Sequence, residues 1–345
     1  AKDNELNTWL EHAVVEAASR KGIPNSSLMK MRWVVTTKAD DSLKARLVVQ
    51  GFTDARLGKI QTAAPTNSRR GRQLFLTTAA SLGFQCFKGD VKCAFLQGDI
   101  QEVDEDVDPS ETQPLREDVF CEPTPELAAK LGLEQHQCVR LLKAVYGLVN
   151  APRRWYQRVA KDFASLNGVE NTTEPCLWTF RDSKGEIIGL VLLYVDDALI
   201  ACSVDSGGKT LLNKIKSLYE WGTWETKAFT QCGAQIVQSY DPLLKQWGGF
   251  TISMQEYASE IQRINLPSSR RLQKEEKVTN HEQSLFRAIA GQLSWLAQQC
   301  CPKLVAPLSL LMGETNCATV DTLPVSYTHL RAHETRGNLV WRLVR

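Results

Sequence analysis

The spacing of apolar positions changes period several times along the chain. Residues 5–20 carry the spacing of an amphipathic helix. Arg32–Thr37 (RWVVTT) and Ala45–Phe52 (ARLVVQGF) are β-rich and flank the polar turn Ala39-Asp40-Asp41-Ser42, which predicts two paired strands. Helical spacing returns over Arg70–Leu82 behind the cap candidates Asn67 and Ser68, and Gln85–Leu96 (QCFKGDVKCAFL) begins as a strand. Behind Pro152, which a first helical turn tolerates, Trp155, Val159 and Phe163 fall on one face, and Gly168 suits the C-terminal cap. Leu177–Phe180 and Ile187–Val195 read as strands and Thr210–Trp221 as a helix. Thr279-x-x-Glu282 is a capping box, and Leu285, Ile289, Leu293 and Leu296 form one stripe behind it until Pro302. There is no internal repeat. Strands and helices alternate irregularly, which predicts an α+β fold rather than a doubly wound sheet.

One stretch breaks its own pattern. Gly189–Ser203 reads GLVLLYVDDALIACS, an apolar run interrupted by Asp196 and Asp197. A strand interior disfavours aspartate, and adjacent carboxylates repel. A tight hairpin answers the first objection, with Gly189–Val195 against Ala198–Ser203 and the aspartates at or near the turn. The second needs a counter-charge. A plain Asp-rich turn explains a lone pair, but Asp90 also ends a β-like stretch, in GDVKCAFLQGD. If its strand lies beside the hairpin, three carboxylates converge, and hard Mg²⁺ ions favour such oxygens together with waters and substrate phosphates. Two ions roughly 3.5–4 Å apart activate an attacking oxygen and stabilise a leaving one in polymerases and nucleases.

Composition narrows the alternatives. No apolar run reaches the ~18 residues of a membrane span, and the amino terminus lacks a signal-peptide pattern. The first residue is Ala1, so the chain reads as a piece of a longer one. The ten cysteines include no C-x-x-C pair, which points to a reduced, intracellular compartment, and the five scattered histidines argue against a zinc site. A net charge of +2 hides an imbalance: Glu102–Asp118 carries eight acids against one arginine. The clusters Arg69-Arg70-Arg72, Arg140-Lys143 and Arg153-Arg154-Arg158 make the rest basic. Solvation explains each cluster alone, yet an acidic loop beside a basic body is compatible with a polyanion partner. Ser206–Thr210 (SGGKT) ends like a phosphate-binding loop, but its first glycine is replaced by Ser203 and the aspartate strand precedes it, the reverse of P-loop order. Gly207-Gly208 is better read as the turn into the next helix.

The strings DVKCAFLQGD, LLKAVYGLVNAPRRWY and LLYVDDALIA, in that order and spacing, resemble the reverse transcriptases of copia-type retrotransposons. MRWVVTTK, KARLVVQGF, Ala64-Pro65, MQEYASEI and FRAIAGQLSWL extend the resemblance over roughly residues 1–313. It implies the right-hand polymerase fold. Fingers with an N-terminal extension take residues 1–88, and the first catalytic palm strand residues 89–101. An acidic insertion and return through the fingers takes 102–150, the palm with its YVDD hairpin 151–249, and a partial thumb 250–313. A tail fills 314–345, of which Pro324–Arg345 resembles translated adapter sequence rather than natural protein.

By the same resemblance the activity is RNA-directed DNA polymerisation by nucleotidyl transfer. Asp90 and Asp196 are the bridging catalytic carboxylates, Asp197 a third, and Val91 a backbone ligand to the nucleotide-side metal. The metals implied are two Mg²⁺ ions, with Mn²⁺ as a substitute. Arg46, with Lys44 beside it, matches the fingers position that grips the triphosphate, where a forked guanidinium suits phosphate. Phe95 matches the steric gate against a ribose 2′-hydroxyl, with core packing its rival use. Tyr194 and Val195 lie under the primer end. Gly147 and Asn150 fall in the stretch against template and nascent pair, where Val149-Asn150 replaces the usual Lys-Gln. Trp155 reads as core. The partners implied are an RNA or DNA template with primer, dNTPs and the rest of a Pol polyprotein (ribonuclease H, integrase), in a cytoplasmic particle or the nucleus, with no membrane. The acidic loop is expected to project away from the nucleic-acid cleft. A truncated, inactive remnant that keeps only the fold or nucleic-acid binding is the alternative.

Overall fold

The local pattern misleads first at the amino terminus. In the computed structural model, helix α1 covers only Lys2–Glu11, burying Leu6 and Trp9, and the chain turns at Ala13 (φ 50) into strand β1 (Val15–Ser19). The expected helix over 5–20 is cut short because Val15 and Ala17 find antiparallel partners in Leu141 and Val139, a pairing no local pattern contains. The structure describes residues 1–38, 40–99, 118–243 and 245–324 and the backbone of 340–343. The acidic stretch before Asp118, Ala39 of the first turn, and most of the suspect tail lie outside them.

Strands β2 (Leu28–Thr37) and β3 (Leu43–Val49) form the hairpin expected from RWVVTT and ARLVVQGF. Helix α2 (Arg69–Leu82) follows, with the Ser68 hydroxyl accepting from the Gly71 amide. Next come β4 (Gln85–Val91), β5 (Val119–Glu122), α3 (Pro125–Leu131), β6 (Gln137–Leu141) and α4 (Ala151–Ser165). Helix α4 buries Trp155, Val159 and Phe163 as its spacing predicts. Its left-handed exit is Asn167 (φ 61), so Gly168 is not the cap but the first residue of β7 (Gly168–Glu170). A side chain at Gly168 would strike the Phe180 ring, which explains the glycine.

Strands β8 (Leu177–Arg181), β9 (Ile187–Tyr194) and β10 (Asp197–Cys202) lead into α5 (Ser206–Leu218), whose first turn is capped by the Asp205 carboxylate on the Gly208 amide. Gly207 and Gly208 thus open a helix rather than cradle phosphate. The helix begins earlier than its pattern suggests and ends before Trp221. The remaining elements are β11 (Trp221–Thr226), β12 (Ala228–Gln231), β13 (Ala234–Asp241), β14 (Gln246–Ser253), α6 (Gln255–Glu260), α7 (Ser268–Arg271), α8 (Asn280–Gln299), α9 (Val305–Gly313) and β15 (Val340–Leu343).

Among the described residues these strands form three sheets, in the orders β1-β6-β5-β2-β3, β11-β4-β10-β9-β8-β7 and β12-β13-β14-β15. In the middle sheet both faces are covered. Leu190, Leu192, Leu199 and Ala201 pack with α2 residues such as Phe75 and Leu76, while Val191, Leu193, Ala198 and Ile200 pack with Trp155 and Phe163 of α4 and Ile215 of α5. Double burial is why β9 and β10 read as nearly continuous apolar runs instead of alternating. The third sheet is sewn to the second by Gln238, buried on β13: its amide donates to the Phe84 carbonyl (2.7 Å) and accepts from the Cys86 amide (2.9 Å).

Helix α8 opens with the expected reciprocal capping box between Thr279 and Glu282. Its buried stripe is Phe286, Ile289, Leu293 and Leu296; Leu285, at the edge of that stripe, stands 39% exposed. The core does not stop at Gly313. Ala318, Val320 and Leu323 are buried in the cluster that holds Phe286 and Leu308, and the Val278 amide donates to the Ala318 carbonyl. All ten cysteines are free. Among the described residues, no helix is long and apolar enough to cross a membrane.

Candidate active site

The hairpin β9–β10 closes in register from Tyr194 opposite Asp197 to Gly189 opposite Cys202, so the turn is Val195-Asp196. Strand β4 lies on the other side of β10 with Asp90 directly opposite Asp197. Register partners share a face of the sheet, so two carboxylates meet across the ladder with Asp196 in the adjoining turn. The Val91 amide donates to the Asp196 carbonyl (2.9 Å), which ties the end of β4 to that turn.

Val195 has φ 59, a conformation that β-branched residues avoid. The Trp155 indole holds it there by donating to the Val195 carbonyl at 2.7 Å. Trp155 is buried, as its core reading expects, and it also fixes the turn that carries Asp196.

The like charges leave an electrostatic signature. Burial pushes the Asp90 carboxyl above its ordinary value, and the charges of Asp196 and Asp197 push it further, while Lys88 and Lys44 pull it back. Burial also raises Asp197, against the pull of Lys88. The counter-charge that the paired aspartates require is Lys88, whose ammonium lies 3.3 Å from Asp197 Oδ1 and 3.7 Å from Glu225 Oε1. Lys88 was legible in principle: it sits two residues before Asp90, on the same face of β4. Gly222 was also missed. It lies in an irregular stretch of β11 beside β4, where a Cβ would come within 3.2 Å of Asp90 Oδ2, and no sequence motif marks it.

From the first sheet, Arg46 of β3 lies over the Tyr146 ring, 5.0 Å from guanidinium carbon to centroid. Tyr146 in turn meets Phe95 edge-on at 5.2 Å. Phe95 is half-buried between two core clusters, and Lys44 is exposed. The Tyr146 carbonyl accepts from the Val49 amide (2.9 Å). Gly147 (φ 94) has no room for a Cβ against the Val49 carbonyl, so glycine is required there by the close approach to β3. Asn150 is 4% exposed at the start of α4 and presents no open surface. Tyr194 is 38% exposed and borders a cavity with Arg69, Arg72, Gln231 and Trp295.

Among the described residues, no group of three or more His, Cys, Asp or Glu side chains is gathered to hold an ion by itself. Magnesium asks for less, since one or two carboxylates with water and substrate phosphates suffice. The hard oxygens of Asp90 and Asp196, whose mutual repulsion a cation would relieve, fit that requirement.

The family described as reverse transcriptase (RNA-dependent DNA polymerase) matches residues 13–270. Over 194 residues the chain is 32% identical to the retrovirus-related Pol polyprotein from transposon TNT 1-94 of Nicotiana tabacum, covering 54% of this chain and 13% of that protein. It is 30% identical over 197 residues to the corresponding polyprotein from transposon RE2 of Arabidopsis thaliana, covering 55% and 12%. The matched region is thus a small part of each relative's length. Among solved structures, a foamy viral protease-reverse transcriptase in complex with dsDNA superposes with a TM-score of 0.50 at 14% identity, covering 97% of this chain and 56% of that one. Its dRH form in complex with ds DNA gives 0.51 at 14% identity, covering 94% and 46%. At that identity the likeness is one of fold.

Proposed function

Because the chain belongs to the reverse transcriptase (RNA-dependent DNA polymerase) family, we propose that it adds deoxynucleotides to a primer 3′ end on an RNA or DNA template. The observation that carries the reading is the meeting of Asp90 and Asp197 across adjacent central strands, with Asp196 in the turn beside them. The sheet of β2, β3, β5 and β6 serves as fingers, the sheet around β4 and β10 as palm, and α8 and α9 as a partial thumb. Duplex DNA in the two foamy viral complexes supports a double-stranded partner.

Asp90 and Asp196 are the residues that would hold divalent ions, Mg²⁺ or Mn²⁺, with Val91 and Asp197 beside them. Such ions polarise the attacking and leaving oxygens of an in-line displacement. The chain's own residues bind and orient. Arg46 and Lys44 take the triphosphate of the dNTP. Phe95, held from behind by Tyr146, crowds the place of a ribose 2′-hydroxyl. Tyr194 and Val195 support the primer end, and Gly147 lets the backbone before α4 approach β3. Asn150, buried at the start of α4, is the least accessible of the residues assigned to the nucleotide. We place this activity within a retrotransposon Pol polyprotein, alongside ribonuclease H and integrase, in a cytoplasmic particle or the nucleus. The intact carboxylate set favours a working polymerase over an inactive remnant.

Primer extension with Mg²⁺ on a template–primer duplex tests the reading. Wild-type protein should extend the primer, and Asp196→Asn should bind duplex yet incorporate nothing. Equal incorporation by both proteins would reject it.

A further inference from the structure

Strand β3 is the edge of the first sheet, so among the described residues no strand pairs with its outer side. An edge strand is a poor mount for a residue that must hold its place, unless something covers it. Helix α1 provides the cover, packing Leu6 and Trp9 into the same cluster as Leu47 and Val49 of β3. Glu5 of α1 reaches the strand itself: its Oε1 accepts the Leu47 backbone amide at 3.2 Å. That amide belongs to the peptide bond joining Arg46 to Leu47. The carboxylate therefore fixes the backbone immediately after the arginine assigned to the triphosphate.

The rest of the contact makes Glu5 a rigid anchor. The Trp9 indole donates to the same Glu5 oxygen at 3.2 Å. In the same first turn of α1, Lys2 pairs with Glu126 of α3 (2.6 Å) and lies over the Trp33 ring of β2, 5.2 Å from its centroid. The Trp33 indole donates to the second Glu126 oxygen at 3.1 Å. Helix α1 is thus tied to both strands of the β2–β3 hairpin. It lies before the residues 13–270 that match the family. Arg46 and Lys44 both exert a favourable charge interaction on the Glu5 carboxyl, which is otherwise strained by burial.

We propose that Glu5 is a positioning residue for nucleotide binding, holding the Arg46–Leu47 peptide so that the Arg46 guanidinium stays over Tyr146 and faces the incoming triphosphate. The inference rests on the polymerase reading and on the role given there to Arg46. Glu5 touches no substrate and acts through Arg46.

Single-nucleotide incorporation kinetics separate the outcomes, with Arg46→Ala as reference. Glu5→Ala should raise the KM for dNTP roughly five- to tenfold with kcat and duplex affinity little changed, as expected for lost ground-state positioning. Glu5→Gln keeps an acceptor for the Leu47 amide and should restore most of the affinity, which a general loss of folding would not. In Glu5→Ala/Arg46→Ala the two effects should fall short of multiplying, since both act on one contact. A dNTP KM raised by Arg46→Ala but unmoved by Glu5→Ala overturns the proposal alone. A KM that Arg46→Ala leaves unchanged removes the role of Arg46 and the proposal with it. Absence of extension by the wild-type protein rejects the polymerase reading itself. If Glu5→Ala does not fold, Glu5→Asp decides: its shorter carboxylate should raise the KM above that of Glu5→Gln, and a KM equal to wild type would overturn the proposal.

Discussion

Asp90 faces Asp197 across the ladder with a charge of the same sign, and the arrangement costs the fold something. Folded Asp90 holds its proton more tightly than in the unfolded chain, because burial and its neighbours raise it above 3.8. The penalty is absent below that ordinary value, grows as pH rises through the raised folded value, and persists at neutrality. Asp90→Asn should therefore raise Tm by about 1–2 °C at pH 7 and by nothing near pH 3, while abolishing extension; melts at the two pH values check the sign. Gly222 makes the complementary case. Alanine there would sit 3.2 Å from Asp90 Oδ2 at an exposed site, so Gly222→Ala should melt like wild type and extend primers roughly tenfold more slowly. The two residues differ in how far the chain alone reveals them. Asp90, Asp196 and Asp197 stand out because carboxylates interrupt apolar runs. Lys88 and Gly222 draw meaning only from the strand beside them, and that neighbour is a tertiary fact.

At the scale of elements, a segment was legible when its burial was simple. The β9–β10 hairpin and the apolar face of α4 follow from local pattern, and so do the Ser68 cap and the Thr279–Glu282 box. Strand β1 carries a helical spacing while its partner β6 lies more than a hundred residues away, and Gln238 looks like an ordinary polar strand residue until Phe84 and Cys86 appear beside it. The α8 box carries a prediction of its own. Arg270 and the Thr279 backbone hold the Glu282 carboxyl down at about 2. A depressed acid contributes stability that is present above its unfolded value and lost as pH falls through the folded one. Glu282→Gln should lower stability at pH 7 and flatten the decline between pH 4.5 and 2, visible in urea melts across that range.

For the whole molecule, the ordered motifs revealed the fold class and the polymerase resemblance, while the packed core runs on past the last of them. The resemblance fades after Gly313, yet Ala318, Val320 and Leu323 are core residues. A chain of residues 1–313 should accordingly be less stable than one of 1–324 by roughly 3–5 kcal/mol, from apolar burial lost and cavities left, as urea denaturation of both would show. The Lys88 contact has a consequence at this scale too. With an ammonium already resting on Asp197, a newly made chain can close its central sheet in surroundings poor in divalent ions. Any divalent ion drawn to these acids, as the proposed function asks, would compete with that ammonium for Asp197, so the lysine as well as the acids would govern how readily the pocket fills.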